Sequence, residues 1–219
     1  RSMMLDTYEF QGEIVMCHAI CYLGETAGYH PREPLVDGLA RIREYLEVDA
    51  DAVVSIIFES YITEAQAAQA FVDAGLDGLV HSQPLGDPWP TLGALVASGK
   101  RLVVFTDDGS ASLPWHHYVW DYAWETPYSY SATSEFTCAK NRGTPGAPLY
   151  ILNHFLTDTF GSLALAQKAN KDPLFTDRAL QCQSEAGQVP NFVTVDFYNV
   201  GPLFHVTDEL NGIGRCTPP

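Results

Sequence analysis

Short, uninterrupted apolar runs recur along the chain. Residues 52–58, 101–106 and 149–153 are such runs, and each has the length of a β-strand. Apolar strands without alternation are typical of parallel sheets that are buried on both faces. Further strands are predicted at residues 2–8, 13–17 and 192–197.

Amphipathic stretches separate these runs. One apolar stripe recurs at steps of four, three and four residues, as expected for a helix, and comprises Leu35, Leu39, Ile42 and Leu46. Thr63 and Gln66 predict a capping box at the start of a second helix that ends at Gly75. More helices are predicted at residues 89–99, 162–169 and 176–186, and the aromatic residues 115–124 are interpreted as another.

This alternation predicts an α/β fold, because parallel strands need crossover connections and helices supply them. A TIM-like (β/α) barrel typically has about 250 residues, and this chain of 219 residues is shorter by about one strand-helix unit. The prolines are scattered and mark no linker. We therefore expect residues 1–219 to form one barrel domain that lacks its first unit.

The charge balance excludes some classes of function. Lys and Arg number 12 against 27 Asp and Glu, a formal net charge of −15. Nonspecific nucleic-acid binding needs a basic surface, so no nucleic-acid partner is expected. No apolar run approaches the ~20 residues of a membrane helix, so no transmembrane segment is expected. Phosphate-loop, nucleophile-elbow, zinc-protease and dinucleotide-binding motifs are absent from the sequence.

Five cysteines favour an exported protein with disulfides, so we expect a secreted, extracellular location. Cys17 and Cys21 form only a weak zinc motif, and a disulfide between them is the preferred interpretation. Cys138 and Cys182 could form a second bridge, which would leave Cys216 without a partner.

Carboxylates follow three predicted strands. Asp6, Glu59 and Asp196 each stand at a strand's carboxyl end, the active-site face of a parallel α/β barrel. They should converge on one cleft, although each could instead cap the loop that follows. His18 could act there as general acid or base. His154, at the end of another strand, could serve the site or point into the barrel wall.

Two sequence blocks are specific. They read MLDTYEFQG at residues 4–12 and PNFVTVDFY at residues 190–198. With these blocks the chain resembles the phosphatidylinositol-specific phospholipase C X-domain superfamily, in particular its secreted PLC-like phosphodiesterases. Residues 138–143 also resemble the family's C-x-x-N-R segment. The resemblance covers nearly the whole chain.

The resemblance implies a phosphodiesterase in which one histidine deprotonates the attacking hydroxyl and a second protonates the leaving alcohol. His18 matches the second histidine, and Asp6 and Glu59 match carboxylates that bind Ca²⁺ in metal-dependent members. His18, Asp6 and Glu59 are therefore the expected catalytic residues. The substrate, a phospholipid or another phosphodiester, is expected to contact Arg142, Asn153, Asp196 and Tyr198.

The chain departs from the family pattern at two places. The strand that carries the first histidine should lie upstream of Ser2, so we expect an N-terminal segment or another chain to complete the barrel. Tyr8 occupies the position of an arginine in metal-free bacterial members. Because Asp6, Glu59 and Asp196 would repel a phosphodiester, a bound Ca²⁺ or Mg²⁺ held by Asp6 and Glu59 is predicted.

Two alternatives to a phospholipase C remain open on the sequence. A barrel without the first histidine could be catalytically inactive and serve as a binding or structural module. The same carboxylate and histidine pattern could also act on another headgroup, as in enzymes similar to sphingomyelinase D or to glycerophosphodiester phosphodiesterases.

Overall fold

The structure, a computed structural model, describes residues 1–18, 21, 32–144, 146–157 and 161–213. The chain divides into two compact units, Arg1–Val119 and Trp120–Pro219. Each unit contains parallel strands and helices.

The first unit contains a six-stranded sheet with the strand order β3-β2-β1-β4-β5-β6. Its strands β1 to β6 are Ser2–Phe10, Glu13–Met16, Glu33–Pro34, Val54–Ser60, Leu102–Thr106 and His116–Tyr118. Its helices α1 to α3 are Leu35–Val48, Glu64–Asp73 and Leu92–Ser98. Strands β1, β4, β5 and β6 are parallel, whereas β2 and β3 form an antiparallel extension beside β1.

One face of this sheet carries the hydrophobic core. Alternate β4 residues, Val54, Ile56 and Phe58, are buried with residues of α1 and α2 such as Leu39 and Phe71. Because successive side chains of a strand point to opposite faces, Glu59 and the residues in register with it project from the other face. The register of the strands therefore decides which polar side chains meet there.

The second unit contains a three-stranded parallel sheet with the order β7-β8-β9. These strands are Ala123–Glu125, Leu149–Asn153 and Phe192–Thr194. The short helix α4, Val119–Tyr122, spans the boundary between the units, and α5 to α7 are Leu163–Ala169, Leu174–Ala186 and Leu203–Leu210. The core of this unit gathers Tyr150, Leu152, Phe175 and Val206.

The α/β class is thus confirmed. In the described part of the chain the parallel strands belong to two sheets, and a closed ring of strands is not observed, so the barrel stays a prediction, as does the single domain. Disulfides join Cys17 to Cys21 and Cys138 to Cys182, as expected. Cys216 lies outside the described residues. Among the described helices, none has the length and apolarity needed to cross a membrane.

The helix predicted at residues 115–124 is wrong. This segment contains strand β6, the one-turn helix α4 and strand β7. Histidine, tyrosine, valine and tryptophan dominate it, and aromatic and β-branched side chains favour strands over helices. Strand β6 also extends a parallel sheet, where Val104 pairs with His116, and such pairing overrides local helical periodicity.

Candidate active site

Three carboxylates follow one another across the first sheet. Asp6 on β1 pairs in register with Glu59 on β4, and Phe58 pairs with Thr106. Asp107, the next residue after β5, continues this row, because its N–H donates to the Phe58 carbonyl at 3.0 Å. We call Asp6, Glu59 and Asp107 the acidic row. Glu59 is the second-last residue of β4 and Asp107 directly follows β5, so the row lies level with the carboxyl ends of these two strands. Asp6, predicted at a strand end, lies instead in the middle of β1, because β1 continues to Phe10 where it pairs with β2.

The acidic row places like charges close together. The Asp6 carboxyl is largely buried, with 17% of its side chain exposed. The pKa of Asp6 is raised to about 6, chiefly by burial and also by the neighbouring Glu59 and Asp107, against the opposing influence of His18. Among the described residues, Asp6 Oδ2 has no hydrogen-bond partner. A largely buried carboxylate with an unsatisfied oxygen is typical of a ligand-binding or catalytic site.

His18 lies beside Asp6. Its Nε2 atom is 3.8 Å from Asp6 Oδ2, which is too long for a hydrogen bond, and 72% of the side chain is exposed. The backbone holds this arrangement, because Cys17 N–H donates to the Asp6 carbonyl at 3.2 Å and Cys17 is bonded to Cys21. The backbone next to His18 is therefore fixed, while its imidazole is accessible to solvent.

A stacked pair of tyrosines borders the acidic row. Tyr8 follows Asp6 by two residues on β1, Tyr61 follows Glu59 by two residues just after β4, and their rings stack with centroids 4.4 Å apart. The Tyr61 hydroxyl donates to Glu59 Oε1 at 2.5 Å, and this bond raises the pKa of Tyr61. Tyr61 therefore fixes one oxygen of Glu59.

Asp6 and Glu59 fit part of a divalent-cation site. They offer hard oxygen ligands side by side, and Asp6 Oδ2 is available. Within the described ranges, no group of three or more His, Cys, Asp or Glu side chains is close enough to hold a metal ion. Ca²⁺ takes about six to eight oxygen ligands, so this pair supplies only some of them.

The second unit holds a different kind of polar cluster at the carboxyl ends of its strands. Glu125 ends β7, and its side chain is 1% exposed. Its Oε1 accepts from Arg142 Nε at 2.5 Å and its Oε2 from Asn153 Nδ2 at 2.9 Å. Asn153, which ends β8, also donates to the Thr126 carbonyl at 2.8 Å. Every oxygen of this carboxylate is compensated.

His154 belongs to the core rather than to an accessible site. It is fully buried, with its Nε2 2.8 Å from the Ala169 carbonyl oxygen and its ring stacked on Phe175. Arg178 Nη1 lies 3.0 Å from His154 Nδ1. Burial lowers the pKa of His154 to about 3, so the imidazole is neutral and a structural role is favoured.

Asp196 and Tyr198 follow strand β9. The strand ends at Thr194, two residues before Asp196, whereas the predicted strand included it. Asn170 Nδ2 donates to the Asp196 carbonyl at 3.0 Å, and the side chain of Tyr198 is exposed. The convergence of Asp196 with the acidic row stays a prediction.

The family model described as PI-PLC X 1 matches residues 1–211. The chain belongs to the PI-PLC X family. A PI-PLC X domain-containing protein of Arabidopsis thaliana is 27% identical over 99% of this chain and 53% of its own length. An uncharacterized secreted protein of Arthroderma benhamiae is 27% identical over 99% of this chain and 55% of its own.

A second A. benhamiae relative, named PI-PLC X domain-containing protein 1, is 26% identical over 92% of this chain and 70% of its own length. The chain thus spans about half the length of the first two relatives. No solved structure gave a significant match.

In this PI-PLC X domain, the predicted residues fall into two sets. Asp6, His18 and Glu59 meet in the first unit, while Asn153 and Arg142 meet at Glu125 in the second. Sequence reasoning missed two residues of these clusters. Asp107 directly follows the buried strand β5, and this position was the signal that could have identified it. Glu125 ends strand β7, whose first two residues were assigned to the wrong helix at residues 115–124.

Proposed function

We propose that this PI-PLC X domain is a secreted phosphodiesterase of the phospholipase C type that cleaves a phosphoinositide or a related phosphodiester. The observation that carries the proposal is the placement of His18 beside Asp6, in a row of carboxylates on adjacent parallel strands. Acid-base catalysis on a phosphodiester needs a proton donor next to charged groups that orient it.

In this proposal, His18 donates a proton to the leaving alcohol oxygen. Its exposure allows substrate to reach the imidazole, and its Nε2 atom lies 3.8 Å from Asp6 Oδ2. Glu59, held by the Tyr61 hydroxyl, keeps a fixed orientation beside Asp6. The hydroxyl that attacks phosphorus needs a base, which the family supplies from its first histidine.

Asp6 and Glu59 are proposed to hold Ca²⁺ or Mg²⁺. A bound divalent cation would remove the repulsion between the acidic row and the phosphodiester and stabilise charge on the phosphoryl oxygens. On the second unit, Arg142, Asn153, Asp196 and Tyr198 are the proposed substrate contacts.

The test is turnover of phosphatidylinositol in vesicles by the full-length protein. We expect product formation that a chelator abolishes and that Ca²⁺ or Mg²⁺ restores. His18→Ala should lower kcat by about 100-fold or more, the size of a lost general acid. Glu13→Gln, which changes an exposed β2 carboxylate outside the acidic row, is the matched control and should retain wild-type turnover.

Two results would contradict the proposal. Equal turnover by wild type and His18→Ala would exclude the general acid, and turnover unchanged by chelator would exclude the cation. Parallel assays with sphingomyelin and glycerophosphodiesters identify the headgroup, because activity on these alone would assign the site to the alternative reactions.

Secretion is supported by two disulfides and by a fungal relative that is named a secreted protein. The check is alkylation of the unreduced protein from culture medium. Cys17, Cys21, Cys138 and Cys182 should resist modification until a reductant is added.

A further inference from the structure

Arg142 is an exposed arginine with an unusually fixed guanidinium. Its Nε donates to Glu125 Oε1 at 2.5 Å, and its Cζ lies over the rings of Trp120 and Tyr128, 4.4 Å from each centroid. Both cation–π distances are well within the range of about 6 Å in which such contacts are attractive. A flexible side chain is thereby held by one ion pair and two aromatic contacts.

The backbone of this segment is fixed as well. Glu125 N–H donates to the Arg142 carbonyl at 3.0 Å, and Asn141 N–H donates to the Glu125 carbonyl at 2.8 Å. Gly143 has a φ of +99°, and a Cβ atom there would lie 2.1 Å from the Ala123 carbonyl oxygen. Only glycine permits this close approach to β7. The position of Arg142 next to Glu125 is therefore built into the fold.

The terminal nitrogens of Arg142 remain available. Among the described residues, Nη1 and Nη2 have no hydrogen-bond partner, and 44% of the side chain is exposed. Arginine carries five N–H donors in one plane, and only the Nε donor is used here. Since Trp120 and Tyr128 contact the guanidinium and Glu125 engages Nε, the edge formed by Nη1 and Nη2 is the part left for a ligand. An edge with parallel N–H groups matches two oxygens of one oxyanion.

We propose that Arg142, held by Glu125, Trp120 and Tyr128, forms an oxyanion-binding site of the second unit that accepts a phosphate group bidentately through Nη1 and Nη2. Glu125 does not compete, because Asn153 and Arg142 Nε already engage its two oxygens. Assignment of the phosphate to a lipid headgroup rests on the proposed function, whereas the site itself does not.

The experiment titrates the full chain with inorganic phosphate and follows binding by calorimetry and by ³¹P line broadening. We expect wild type to bind in the millimolar range, Arg142→Met to lose at least about 10-fold in affinity, and Arg142→Lys to lose about 3-fold or more. Lysine keeps the charge for Glu125 but lacks the planar fork. Arg43→Met is the matched control, because Arg43 is an arginine of the first unit whose Nη1 pairs with Glu47.

Vesicles of phosphatidylcholine with and without phosphatidylinositol distinguish the sources of the phosphate. Loss of both phosphate and vesicle binding in Arg142→Lys assigns the site to the lipid headgroup, and loss of phosphate binding alone assigns it to a small phosphate compound. Unfolding curves identify any variant that fails to fold. If Arg142→Met does not fold, phosphate binding by Arg142→Lys tests the proposal, since lysine keeps a positive charge for Glu125.

The proposal is overturned if wild type does not bind phosphate up to about 50 mM, or if Arg142→Lys and Arg142→Met bind it as wild type does. Failure of the proposed function has a different signature, because phosphatidylinositol would then go uncleaved while phosphate binding and its loss in the Arg142 variants persisted.

Discussion

A largely buried carboxylate on a parallel strand has opposite surroundings in the two units. In the first unit, Asp6 is largely buried beside Glu59 and keeps an oxygen without a hydrogen bond. In the second, Glu125 is buried more completely, yet Arg142 and Asn153 satisfy both of its oxygens. Both carboxylates are largely buried, so burial does not distinguish them. They differ in whether hydrogen bonds satisfy both carboxylate oxygens.

This difference favours a ligand-binding role for Asp6 and a structural role for Glu125. An uncompensated carboxylate destabilises the folded chain and is retained where it serves a purpose, whereas a compensated one contributes to the fold. Glu125 serves the fold and in doing so orients Arg142. The following predictions test the contrast.

The largest effect is expected on catalysis. Under the proposed function, Asp6→Asn and Glu59→Gln should each lower kcat on phosphatidylinositol by about 100-fold or more, because each removes a charge proposed to orient His18 and to hold the cation. Neither variant should lower the free energy of unfolding. Steady-state kinetics and urea unfolding measure the two quantities side by side. A loss of stability that parallels the loss of kcat would show that the acidic row is structural.

The second prediction concerns the compensated carboxylate. Glu125→Ala should lower the free energy of unfolding by about 2–3 kcal/mol, because Asn153 Nδ2 becomes unsatisfied in a buried position and Arg142 loses its anchor. Urea unfolding measures the change, and Glu13→Ala, an exposed β-strand carboxylate, is the control. A change in Glu125→Ala no larger than in the control would mean that compensation contributes nothing.

The sequence predicted most of the elements and the acidic pair, but not the couplings between them. Apolar runs and helical stripes located β4, β5, β8, α1 and α2, because these elements are long or strongly periodic. Asp6 and Glu59 were predicted because each was expected at the end of a strand, which is nearly true of Glu59 but not of Asp6. Their partnership with Asp107 depends on the register of β5, which no local pattern encodes.

The second cluster was harder to predict for another physical reason. Arg142 came from a family resemblance, and its partner Glu125 lies in a three-residue strand that local periodicity misassigned. Their contact requires the backbone at Gly143 to pack closely against β7, and this is a tertiary contact between segments that are distant in sequence. Short strands of this kind are stabilised by tertiary pairing, so sequence patterns give little sign of them.

The third prediction uses the raised pKa of Asp6. A carboxyl whose pKa is raised to about 6 by folding binds its proton more tightly in the folded state, so stability falls as pH rises from about 4 through 6. A shift of two pKa units corresponds to about 3 kcal/mol, and solvent screening reduces it. Asp6→Asn should therefore be about 1–2 kcal/mol more stable than wild type at pH 7.5 in chelator.

The difference between Asp6→Asn and wild type should narrow as pH falls from 6 to 4 and disappear below about pH 3, where the Asp6 carboxyl is protonated in both the folded and the unfolded state. Urea unfolding across this range measures it. An Asp6→Asn protein that is less stable than wild type at pH 7.5 would show that Asp6 is compensated after all, and the contrast with Glu125 would fail.

The smallest expected effect concerns Glu64, a hydrogen-bonded carboxylate of the first unit. It tests whether the hydrogen bonds of a carboxylate, and not the unit in which it lies, determine its contribution to stability. Glu64 begins α2 in the first unit and accepts from Ser112 N–H, Ser112 Oγ and Leu113 N–H. Burial raises its pKa, but these bonds and one with His116 outweigh burial and lower it to about 2. Its carboxylate therefore stabilises the fold above about pH 4.5, and this contribution is lost as pH falls toward 2.

Glu64→Gln should lower the free energy of unfolding by about 1 kcal/mol at pH 7, because an amide accepts these hydrogen bonds less strongly than a carboxylate. The difference from wild type should narrow below about pH 4. Glu44→Gln, on the exposed face of α1, is the control and should change stability little. Glu64 lies in the same unit as Asp6. If Asp6→Asn raises and Glu64→Gln lowers the free energy of unfolding at pH 7, each change reflects the local partners of that carboxylate. If both variants are more stable than wild type, the cause is the net charge of −15, because removing any negative charge would relieve the same general repulsion.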